Sequence, residues 1–172
     1  MCSDPAGYRE IGTPAPEGRR WGLLTLCVLC WLAGVARGWA AEPRSQIVTV
    51  LAIRATRDNK EVSPELRSIA KALRRQFRYT GYKLVRKHTA RTPIGKATTA
   101  DLGNGFKALV TPTKRDKSRV ELRLKVTQRE GRKDRIRLDT TVRLPPGRYY
   151  LVGGWKYAAG SDDVLIVAVA AR

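Results

Sequence analysis

The chain has little of what most catalytic sites are built from. It has one histidine, His88, and its three cysteines, Cys2, Cys27 and Cys30, all lie within the first thirty residues. No cysteine–histidine nucleophile or ordinary zinc ligand set can be assembled beyond that point within one chain. Acid is also scarce, with 15 Asp and Glu against 34 Lys and Arg, a formal net charge of +19. Long apolar runs are absent except for one. Trp21 to Ala36, WGLLTLCVLCWLAGVA, carries no charge, follows Arg19-Arg20 and precedes Arg37-Gly38-Trp39-Ala40-Ala41.

A positive lead, an apolar core and a small-residue exit form the layout of a secretory signal. Signal peptidase needs small side chains directly before the cut and two residues earlier, and only a cut between Ala40 and Ala41 supplies them, as Gly38 and Ala40. The expected division is a cleavable signal over 1–40 and one basic domain over 41–172, periplasmic or secreted. An anchor left uncleaved is the alternative, although the run is short of the roughly 20 apolar residues of a spanning helix. Removing residues 1–40 takes away every cysteine, Arg9, Arg19, Arg20 and Arg37, and the acids Asp4, Glu10 and Glu17. It leaves 132 residues at +18. Such a domain is disulfide-free and must rest on its hydrophobic core, with no transmembrane segment expected in it.

Gln46 to Ala55, QIVTVLAIRA, and Val164 to Ala170, VLIVAVA, are apolar at nearly every position and read as strands buried on both faces. Ser63-Pro64-Glu65 reads as a helix start, with Ser63 as cap. Leu66, Ile69, Ala70, Leu73 and Phe77 then follow helical spacing, and Gly81 is placed to end the helix. Beyond Gly81 the pattern has period two. Val120, Leu122, Leu124 and Val126 alternate with polar residues, as do Ile136, Leu138, Thr140 and Val142, suggesting an antiparallel hairpin with one wet face. The expected fold is α+β: one amphipathic helix packed on a largely antiparallel sheet of about seven or eight strands, the first and last central and adjacent.

An apolar first strand, the segment VSPELRSIAKALRRQFRY and the ending LVGGWKYAAGSDDVLIVAVAAR together resemble small exported bacterial proteins of unknown function. That resemblance implies neither an activity nor site residues.

Searching for chemistry returns little. His88 lies in RKHTAR, and no acid occurs from Leu66 to Ala100. Gly95-Lys96-Ala97-Thr98 lacks the hydroxyl residue directly after Gly-Lys that a phosphate loop needs. Asp162-Asp163 fits a turn, and Gly153-Gly154-Trp155 a bulge or strand end. No cofactor or metal is expected, and no catalytic constellation emerges.

Basic charge is the one abundant feature. Leu66 to Ala100 holds Arg67, Lys71, Arg74, Arg75, Arg78, Lys83, Arg86, Lys87, Arg91 and Lys96 without an acid. Arg67, Lys71, Arg74 and Arg78 share one helical stripe, centred roughly 120° from the apolar face. Solubilising faces ordinarily mix signs. The candidate anion-binding set is therefore Arg67, Lys71, Arg74, Arg78, Lys83 and Arg86, beside the plainer reading of a solvated basic surface. Phosphate-bearing lipid or acidic polysaccharide suits an exported chain better than nucleic acid, although Phe77, Tyr79 and Tyr82 are placed to stack on bases. The alternative is an assembly module that pairs with another envelope protein, with candidate sheet edges near Ala97 and Tyr149.

Overall fold

The computed structural model describes residues 45–172, so the signal segment and the Ala40–Ala41 cut lie outside the described residues. Eight strands run in chain order: β1 (Ser45–Thr56), β2 (Gly81–Pro93), β3 (Thr98–Gly103), β4 (Phe106–Arg115), β5 (Val120–Glu130), β6 (Lys133–Leu144), β7 (Tyr150–Lys156) and β8 (Val164–Ala171). Between β1 and β2 lie a 3-10 turn, Pro64–Leu66, and helix α1, Ala70–Gln76.

The expectation of a helix on a single large sheet is corrected by this architecture. The strands form two four-stranded antiparallel sheets, ordered β2-β1-β8-β7 and β3-β4-β5-β6. Strand accounts for 62% of the described residues and helix for 8%, so the domain is mostly β. The reason lies in β1 and β8, which pair at the centre of the first sheet. Strands apolar on both faces need cover on both sides, and a seven-residue helix covers part of one.

The second sheet supplies the other cover. Val48, Val50 and Ala52 of β1 and Leu165, Val167 and Val169 of β8 meet Leu102, Phe106, Val110, Leu122, Leu124 and Val126 in one inter-sheet core. On the opposite face of the first sheet, Leu66, Ile69 and Leu73 pack on Leu51, Ile53, Ala55, Ile166 and Ala168. The molecule is therefore three layers, with the thin helical layer over one end only. β1 records this: its burial alternates up to Val50 and becomes nearly continuous from there to Ala55.

The expected continuous helix is interrupted. Ser63 does not cap it, because its hydroxyl accepts the Leu84 N–H at 2.9 Å and ties the segment to β2. With no side-chain cap, and with Arg67/Lys71, Lys71/Arg75 and Arg74/Arg78 as like pairs at i,i+4, each costing a few tenths of a kcal/mol, only Ala70–Gln76 closes into α-helix. Gly81 is not a left-handed cap either. It opens β2, where a Cβ would stand 2.1 Å from Asn59 Oδ1, an oxygen already holding the Glu61 N–H.

Three bulges redirect side chains. Val85 and Gly154 have no partner opposite them, and Arg137 lies unpaired between Ile136 and Leu138. Because facing alternates along a strand, one extra residue turns everything beyond it to the other face. Ile136, expected on the buried face with Leu138, is thus opposite Thr127 and 54% exposed.

Candidate anion-binding surface

All ten basic residues between Arg67 and Lys96 are exposed. Of these, Arg86 alone has a carboxylate within ion-pair reach among the described residues, Asp101 at 3.3 Å. The apolar face of the helical layer is buried against the first sheet, and that docking turns the basic positions outward.

The six candidate residues do not form one surface. Lys71 and Arg74 lie on α1, Arg67 on the turn before it, and Arg78 after the helix has ended in an extended Phe77. Lys83 and Arg86 belong to the other face of β2. They stand opposite Arg54 and Ala52, and Ala52 is part of the inter-sheet core. Arg86 accordingly reaches β3 and its Asp101, while His88 Nε2 lies 3.2 Å from the Thr98 hydroxyl.

The bulge at Val85 places two other cations on the helix side. Lys87 is opposite Leu51, a member of the helix-side core, and Arg91 is opposite Ile47 on the same face. Uninterrupted alternation puts Lys83 and Lys87 together, and no local signal in the sequence marks Val85 as the inserted residue. Beyond the helix, that face holds a groove of about 280 Å³ whose lining includes Thr49, Lys87, Thr89, Tyr149 and Arg172.

The aromatic residues near Arg78 are structural. Tyr82 is 1% exposed, and its hydroxyl donates to the carbonyls of Phe77 at 3.0 Å and Tyr79 at 3.1 Å, holding the chain as it leaves the helix. Burial pushes the Tyr82 phenol above its usual pKa. Phe77 and Tyr79 pack half-buried on the helix-side core, and Arg57 lies over the Tyr79 ring at 5.2 Å. Base stacking by Tyr82 is incompatible with this packing.

Asp101, His88 and Asp162 do not converge on a cleft. Asp101 is spent on Arg86 and on the Gly103 N–H. No group of three or more His, Cys, Asp or Glu among the described residues could hold a metal ion. Asp163, 4% exposed, has a structural partner that sequence spacing did not reveal: Arg54 Nε donates to its Oδ2 at 2.5 Å. Burial alone raises the Asp163 pKa, but hydrogen bonds from Thr56 and Arg54 outweigh it and hold the carboxyl below its usual value. Trp155 lies beside the Gly154 bulge and stacks on Phe106 at 6.3 Å between ring centres.

No helix among the described residues is long and apolar enough to cross a membrane. No family model matches the chain, and no curated protein matches it. Among solved structures it is similar to the T2SS secretin XcpQ from Pseudomonas aeruginosa, at 10% identity and a TM-score of 0.40, over 87% of this chain and 63% of that one. A likeness at that level carries no argument about what this chain does.

Proposed function

We propose that the domain is a non-catalytic envelope module that docks on anionic polymers through the helix side of its first sheet. The supporting observation is the set of exposed cations on Arg67, Lys71, Arg74, Arg78, Lys87 and Arg91, none with a carboxylate partner among the described residues. Lining up like charges costs folding energy, and a polyanion repays it by bringing phosphate or carboxylate between them. Lipid phosphate and acidic polysaccharide are the ligand classes, and the burial of Tyr82 argues against single-stranded nucleic acid.

Replacing Arg67, Lys71, Arg74 and Arg78 with Glu should abolish retention on a heparin or lipid-phosphate matrix at moderate salt. A charge-matched control replaces Lys107, Arg123, Lys125 and Arg129 with Glu, and should keep most of the retention. Equal losses in both variants would reduce the effect to net charge and sink the surface as a site. A second reading, pairing with another envelope protein, draws support from β3 and β7, which are edge strands of the two sheets. Retention by edge pairing should survive high salt, where polyanion docking fails.

A further inference from the structure

The four edge strands differ in how well they are closed. β2 is covered at its start, where Ser63 donates its N–H to the Tyr82 carbonyl and Tyr82 donates to that of Glu61. β3 has six residues, and β7 is broken by the Gly154 bulge. β6 is twelve residues long and unbulged from Leu138 to Leu144. Its core-side residues Leu138, Val142 and Leu144 stay half-buried, whereas Val120, Leu122, Leu124 and Val126 of β5 are fully buried. A long edge with an open apolar flank is a template for strand pairing.

We propose that β6 pairs with β6 of a second copy of this chain, antiparallel and with the two-fold axis at Thr141. In that register Thr140 faces Val142 of the second copy, and Leu138 faces Leu144, so each open apolar flank is covered by the other. On the solvent face Asp139 lies opposite Arg143 of the second copy, twice by symmetry. The row Glu121, Arg143, then Asp139 and Lys125 of the second copy alternates in sign, because Glu121 already stands opposite Arg143, and Lys125 opposite Asp139, within one chain.

Other registers fail on the same residues. A shift that brings unlike faces together puts apolar side chains into water. An axis at Thr140 sets Arg137 against Arg143, one at Asp139 sets two carboxylates together, and one at Val142 runs Asp139 against Pro145. The location also suits a cationic chain, since Glu121, Glu130, Asp134 and Asp139 all lie on β5 and β6. Two copies meet there at the least Coulombic cost.

Sedimentation velocity on the purified protein tests this. The wild-type chain should show a concentration-dependent dimer. Asp139→Arg alone and Arg143→Asp alone each create two like-charge contacts and should weaken association more than about tenfold. An equimolar mixture of the two variants restores both opposite-sign contacts and should dimerise again. Recovery on mixing cannot come from chains that failed to fold, and melting curves of each variant alone check that independently. A wild-type chain that stays monomeric, single variants that dimerise as well as wild type, or a mixture that stays monomeric would each overturn the proposal.

Discussion

On the outer face of β5 and β6, basic residues meet acids across and along the strands. Arg123 pairs with Asp139 at 3.1 Å, Arg143 with Glu121 at 2.6 Å and Arg129 with Asp134 at 3.4 Å. On the helix side of the first sheet, Arg67, Lys71, Arg74, Arg75, Arg78, Lys87 and Arg91 have no such partner among the described residues. Both surfaces are solvated, and both cover a sheet whose other face is core. Charge matching is therefore within the reach of this fold, and its absence from the helix side is a property of that surface. Exposed pairs add little stability, so the matched face gains neutrality more than strength. The unmatched face keeps its potential for an external anion.

The largest expected difference between the faces lies in their apolar anchors. Leu73 is fully buried and pins the helical layer, whereas Leu109 of β4 is 37% exposed on the wet side of the second sheet. Leu73→Ala should lower unfolding free energy by about 2–5 kcal/mol, read from urea midpoints. Leu109→Ala should stay within about 0.5 kcal/mol. Equal shifts would mean that the helical layer is not held to the sheet by its apolar face.

Next comes the buried ion pair at the end of the first sheet. Arg54→Met leaves the Asp163 carboxylate buried without its cation and should cost about 3 kcal/mol at neutral pH. Asp163 has a folded pKa below its unfolded one, so its contribution is present above roughly pH 4 and is lost as pH falls through the folded value. The gap between wild type and Arg54→Met should narrow below about pH 4. A constant gap down to lower pH would show that Arg54 acts through packing, for instance on Tyr157, whose ring lies 5.8 Å from its guanidinium.

Legibility from sequence followed the range of the interaction. The apolar runs of β1 and β8 betrayed burial on both faces, and strict alternation marked β5. The spacing of Leu66, Ile69 and Leu73 marked a packed face correctly, yet a 3-10 turn followed by two helical turns satisfies that spacing as well as one straight helix. What covers the far side of β1 and β8 depends on contacts with β4 and β5, which no local pattern encodes. The inserted residues Val85 and Arg137 carry no compositional mark, and they decide which cations share a face. Arg54 and Asp163 lie 109 positions apart, so only the β1–β8 register brings them together.

The smallest expected effect falls on the matched face itself and sharpens the contrast most directly. Hydrogen bonding from Arg123 holds the Asp139 carboxyl below its usual value, as Arg143 does for Glu121. Arg123→Ala should therefore raise the Asp139 pKa in a carboxyl NMR titration, leave the urea midpoint unchanged within error, and leave retention on a polyanion matrix near that of wild type. Those readouts separate the possible roles of a surface cation. A cation that tunes its neighbour's titration without affecting stability or binding is spent within the fold. One whose removal lowers retention without shifting any carboxylate, as expected of Lys71 or Arg74, is spent on a ligand. If Arg123→Ala lowered retention as much as Lys71→Ala, the difference between the two faces would be one of geometry and not of use.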